Sequence, residues 1–162
     1  WALETARALK TRGILYSGPL FMGLLRDKKK GWCLLEYNAR FGDPETQALV
    51  LRWENKNFLR SHLGLALGEN LEPEMGGDKS LCLALVHPSY PAKGDPITLP
   101  EWKTSHPSLE TQIFMTGSQA GRMAYLCLKG KSSLGTQAAK MMEVSPWAEI
   151  LDWRKDPLND NN

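Results

Sequence analysis

The chain has 162 residues, 42% hydrophobic and 23% charged, with a formal net charge of +2. That suits one or two globular units with a real core, and so small a charge leaves no electrostatic footprint for nucleic acid or an acidic membrane surface. With no signal peptide and no apolar run of bilayer-spanning length, a cytoplasmic protein without nucleic-acid or membrane partners is expected.

In residues 1–12, Ala2, Leu3, Ala6 and Leu9 fall at helical spacing, and Gly13 stops the helix. Residues 14–25 read as strand material interrupted at Ser17-Gly18-Pro19, and residues 31–38 as a second strand. Between them, Lys28-Lys29-Lys30 reads as a solvated turn joining an antiparallel pair. A helix is expected over 44–53, with Asp43 as its N-cap, Pro44 at its first position and Leu49, Val50 and Trp53 facing the core. A second helix over 57–67 aligns Phe58, Leu59, Leu63 and Ala66, with Gly68 as its stop. His62 beside that stripe reads as a packing or surface residue rather than a ligand.

Residues 69–79 are rich in Glu, Pro and Gly and read as a linker, dividing the chain into domains 1–72 and 73–162. Beyond it, 81–86, 111–115 and 122–128 read as strands, and Ser132 or Ser133 as the cap of a helix through 143. A last strand is expected within 147–153, before a polar tail at 159–162. The fold class is therefore α+β. Cys33, Cys82 and Cys127 are odd in number, without C-x-x-C spacing, and are simplest as buried free thiols in a reducing compartment. His62, His87 and His106 show no metal-ligand spacing.

The densest chemistry lies in Glu36-Tyr37-Asn38-Ala39-Arg40-Phe41-Gly42-Asp43-Pro44-Glu45-Thr46-Gln47. If the strand stays extended, Leu34, Glu36, Asn38 and Arg40 share one face, which turns from apolar to polar where the strand ends. Glu36 and Asn38 are oxygen donors, which suits Mg²⁺ when phosphates complete its shell; the pair alone also suits a plain polar strand end. Asp43 has a capping role ready, and a helix start also presents N–H groups to an anion. Arg40 suits a bidentate contact to phosphate or carboxylate, or a structural ion pair with Asp43 or Glu45.

This run resembles, at every position, a motif of the phosphoribosylamine–glycine ligase family (glycinamide ribonucleotide synthetases), within the ATP-grasp superfamily. The resemblance extends roughly over 12–156. It includes Gly13-Ile14-Leu15-Tyr16-Ser17-Gly18 and Leu51-Arg52, with weaker echoes at Tyr90-Pro91, Lys93-Gly94-Asp95, Gly121-Arg122 and Arg154-Lys155-Asp156. It implies that 1–72 is the last part of an ATP-grasp domain and 73–162 a small β-rich C-terminal domain. It also implies the family's reaction, a step of de novo purine biosynthesis. Glycine's carboxylate attacks the γ-phosphate of ATP, and the amine of 5-phosphoribosylamine displaces phosphate from the resulting glycyl phosphate. By resemblance, Glu36 and Asn38 hold Mg²⁺ or Mn²⁺ on the ATP phosphates. Arg40 and Asp43 are expected to be catalytic, and Arg40, Gly42, Asp43, Pro44 and Glu45 to bind substrate.

There are departures. The family's F-H-A-G-T reads here Phe114-Met115-Thr116-Gly117-Ser118, without the histidine, and the following loop is short. The family's double glycine is Ala120-Gly121, and the R-K-D echo runs into Pro157. The family's N-terminal substrate domain, glycine-rich loop and ATP-binding lysines have no counterpart in the chain, which starts at Trp1. The expected partner is thus the N-terminal part of the same enzyme, without which the chain is expected to be inactive. Two other readings stay open: a degenerate, non-catalytic interaction module, and an ATP-grasp carboxylate–amine ligase with another acceptor.

Overall fold

The computed structural model describes residues 1–53, 58–69, 74–117, 121–131 and 133–153. The protein is α+β, with antiparallel strand pairing throughout the described sheets. It forms two units. The first holds the described residues of 1–42 and 56–73; the second holds those of 43–55 and 74–162. No helix among the described residues is long and apolar enough to cross a membrane.

In the first unit, helix α1 (Ala2–Thr11) precedes strands β1 (Phe21–Asp27) and β2 (Gly31–Asn38), which form a two-stranded hairpin. Asp27 shapes its turn by accepting from the amides of Lys29 (2.8 Å) and Lys30 (2.7 Å), bonds that hold its carboxyl below the usual range. Residues 14–20, expected as strand, stay outside the ladder, because the Ser17-Gly18-Pro19 break falls at their end. Next along the chain from β2, helix α2 (Glu45–Arg52) belongs to the second unit, whereas α3 (Phe58–Ala66) returns to the first. The expected stripe of α3 is corrected. Leu59 and Leu63 are exposed, and the buried residues are Ser61 and Gly64. Gly68 does end the helix, at φ +78°.

The second unit is a four-stranded sheet in the order β4-β5-β3-β6, from β3 (Lys79–Val86), β4 (Glu110–Met115), β5 (Arg122–Gly130) and β6 (Asp152–Trp153). Helix α4 (Leu134–Glu143) covers one face through Leu134, Ala138 and Met142, which pack with Leu85, Ala124, Leu126 and Leu128. On the other face Leu51 of α2 packs on Tyr125 and Cys127. With both faces covered, β5 reads as an unbroken apolar run rather than an alternating one. Ser133 holds the N-cap position of α4 without a side-chain capping bond, and Ser132 lies outside the described residues. The final strand is only two residues long. Residues before it close turns through Ile150 N–H and Leu151 N–H to Trp147 O, and the Trp147 indole donates to Pro100 O at 2.8 Å. The polar tail lies outside the described residues.

Candidate functional site

The sequence-predicted residues fall into two local arrangements, one in each unit. At the end of β2, Asn38 Nδ2 donates to Glu36 Oε1 at 2.8 Å, so these two side chains lie side by side. Their surroundings differ from simple alternation. Gly23 pairs with Glu36 but Leu24 with Leu34, so Leu35 is the extra residue of a β-bulge. Paired residues share a face, which puts Leu34 with Leu24 opposite Glu36, not beside it as expected. Gly23 clears space for the carboxylate: a Cβ there would stand 3.0 Å from Glu36 Cγ.

Arg40 lies beyond the strand, and its Nη1 donates to Phe41 O at 2.8 Å. Phe41 is fixed in turn by rings of α3. Its centroid is 5.6 Å from Phe58 and 5.1 Å from His62, whose Nδ1 is 2.6 Å from Phe58 O. His62 is thus a packing residue. Gly42, next in the chain, is buried.

A divalent cation fits the Glu36–Asn38 pair only in part. Among the described residues no group of three His, Cys, Asp or Glu could hold a metal. Glu36 Oε2 and Asn38 Oδ1 are two hard oxygen donors that their mutual bond leaves over. That suits an ion whose remaining oxygens come from phosphates and water, as Mg²⁺ prefers.

In the second unit Asp43 does not cap α2. The helix starts at Glu45 with Pro44 at its N-cap position and no side-chain capping bond. The Asp43 carboxylate turns to β5 instead: Oδ2 accepts from Arg122 Nη1 at 2.8 Å and Oδ1 from the Tyr125 hydroxyl at 2.7 Å. The expected alternative of an Arg40–Asp43 pair is replaced by Arg122–Asp43. The Tyr90 and Tyr125 hydroxyls bond to Arg122 and push its already high pKa further up. Burial, then the bond to Asp43, pushes the Tyr125 phenol up to about 12 against the opposing charge of Arg122. The Asp43-Pro44 peptide is cis, Pro44 is half-buried and Glu45 is exposed in the first turn.

The other echoes of the motif family gather nearby. His87 is buried; its Nδ1 lies 2.6 Å from Ser89 Oγ, its Nε2 lies 3.1 Å from Asp95 O, and its amide donates to Gly121 O at 2.7 Å. Gly94 sits against the imidazole so closely that a Cβ would land on the ring. The R-K-D echo lies outside the described residues. Tyr125 escaped the sequence reading, although one signal was present: a hydroxyl inside an otherwise apolar strand must find a partner.

No protein-family model matches the chain. A phosphoribosylamine–glycine ligase of Pseudomonas aeruginosa is 31% identical over 167 aligned positions, which cover 94% of this chain and 38% of that protein. One from Caldanaerobacter subterraneus is 40% identical over 88 residues, covering 53% of this chain and 21% of the relative. The crystal structure of the Thermotoga maritima phosphoribosylamine–glycine ligase matches with a TM-score of 0.65 at 26% identity, over 93% of this chain and 38% of that one. The chain therefore spans well under half the length of these relatives.

Proposed function

We propose that this chain, a relative of the C-terminal portion of phosphoribosylamine–glycine ligase in sequence and fold, supplies the metal-binding wall of such a ligase. The reaction would join glycine to 5-phosphoribosylamine at the expense of ATP, in the purine-synthesising cytoplasm. The observation that carries this reading is the Asn38–Glu36 bond of 2.8 Å, which sets two oxygen donors together at a strand end within the ligase motif. Mg²⁺ or Mn²⁺, when bound there, would neutralise charge on the ATP phosphates. The chain's own residues do the positioning. Gly23 leaves room for the Glu36 carboxylate, and Phe41 anchors the exit from β2 on α3. Arg40 and Glu45 remain as polar groups for substrate, while Gly42 and Pro44 shape the backbone that carries them.

The exposed Leu24, Leu25, Trp32, Leu35, Leu59 and Leu63 of the first unit support a further part of this reading. Their apolar surface suits a partner of ordinary protein-core chemistry, which the N-terminal part of a ligase would supply. The expected domains 1–72 and 73–162 would then be the tail of an ATP-grasp domain and the enzyme's small C-terminal domain.

The test is glycine-dependent ADP release. The chain alone is expected to be silent. Fused to the N-terminal portion of the Pseudomonas aeruginosa relative, it is expected to turn over, and Glu36→Ala in the fusion should abolish turnover and its Mg²⁺ dependence. A silent fusion that folds would overturn the reading in favour of a non-catalytic module. The observation that favours that second reading is Met115, an exposed strand end where the motif family carries histidine.

A further inference from the structure

We infer that Arg122 and Tyr125 are positioning residues for Asp43, holding its carboxylate on β5 so that the Asp43-Pro44-Glu45 entry to α2 keeps one orientation. The inference rests on the ligase reading for its catalytic consequence, but the latch itself stands on geometry. An aspartate just ahead of a helix has an alternative open to it, to swing inward and bond the first amides. Asp43 forgoes that bond. Each of its two oxygens has its own partner, one a full positive charge and the other a phenol whose residue is only 5% exposed. Both alternatives are charge-assisted, and the one adopted gives each carboxylate oxygen its own side-chain partner.

The anchor points are also fixed. Arg122 opens β5, and its carbonyl accepts from the Thr116 hydroxyl. Tyr125 is registered between Ala84 of β3 and Phe114 of β4, so its backbone belongs to a strand paired on both sides. Its ring packs under Leu51 of α2. The same helix is thereby held twice by one residue, through its packing face and through the carboxylate that precedes it. Tyr90, in the loop after β3, adds a second phenol on the Arg122 guanidinium. Residues 79 and 82 positions downstream thus decide where the motif's aspartate sits.

Two measurements decide the matter. In the 162-residue chain, Asp43→Ala, Arg122→Met and the double variant form a cycle of urea midpoints. Strong non-additivity is expected, and additive shifts would overturn the latch whatever the chain catalyses. In the active fusion, Arg122→Met should cut the rate of glycine-dependent ADP release by about 100-fold, the scale of a small misplacement, with ATP affinity little changed. Arg122→Lys, which keeps the charge, should recover most of that loss at an equal or lower urea midpoint. A rate that merely follows the unfolded fraction, with no rescue by lysine, would mean a structural bond only and overturn the positioning role. If the unmutated fusion is inactive, the ligase reading falls and takes the positioning role with it, and the cycle still settles the latch.

Discussion

Gly94→Ala is the sharpest stability test the structure offers. The new Cβ would fall on the His87 imidazole and on Ser89 Oγ, not in open space. His87 cannot step aside freely. It is 9% exposed, its Nε2 is tied to Asp95 O, and its Nδ1 faces both the Ser89 amide and hydroxyl. Overpacking of this kind costs about 1–3 kcal/mol. Displacing the ring also breaks side-chain hydrogen bonds worth about 1 kcal/mol each. A total of about 2–4 kcal/mol is expected, which for a unit of roughly 100 residues lowers Tm by more than about 8 °C. The assay is thermal and urea unfolding of Gly94→Ala, His87→Ala and the double variant. With the ring gone the nearest remaining neighbour is the Ser89 hydroxyl, which can rotate away, so the double variant should be hardly less stable than His87→Ala alone. A loss below about 0.5 kcal/mol for Gly94→Ala, or an additive cycle, would refute the reasoning.

Further outcomes concern titration and reactivity. Tyr125→Phe should cost about 1–2 kcal/mol near neutral pH, because it leaves Asp43 Oδ1 without its phenol partner. A phenol raised from 10.0 to about 12 favours the folded state while it is protonated. The gap between wild type and Tyr125→Phe should therefore be constant below pH 10 and shrink as pH rises toward 12; a gap that widens there would count against the assignment. Cys82 pairs in register with Cys127, and their mutual hydrogen bond followed by burial pushes the Cys82 thiol well above its usual range. Mass-spectrometric alkylation at pH 8 should therefore label Cys33 well before Cys82 or Cys127.

How far the chain could be read from its sequence depended on the range of the interaction. The limits of β2 were legible because Gly31 and the polar Glu36–Asn38 end bracket an apolar run. β3, β4 and β5 were found for the same reason, and Glu36 and Asn38 do lie side by side. The bulge at Leu35 was not legible, since alternation carries no mark of an extra residue until the partner strand is known. The partner of Asp43 was hidden by distance along the chain, and local chemistry pointed to capping instead. On α3 the hydrophobic stripe misled: Ser61 and Gly64 are buried, and Leu59 and Leu63 are exposed. Which unit claims 43–55 was equally hidden, because Leu51 shows its destination only once Tyr125 and Cys127 are in place.

The bulge gives the hairpin a second place, besides its turn, where a residue can be lost. Removing one lysine from Lys28-Lys29-Lys30 would shorten a solvent-facing turn and leave every pair beyond it in phase. Removing Leu35 would also leave every pair in phase, because Leu34 and Glu36 already pair with the adjacent Leu24 and Gly23, and only the bulge would be lost. Leu34 and Glu36 would become adjacent residues that alternate, on the opposite faces they already hold. Natural variants that lose a residue here should therefore fall at the turn or at position 35.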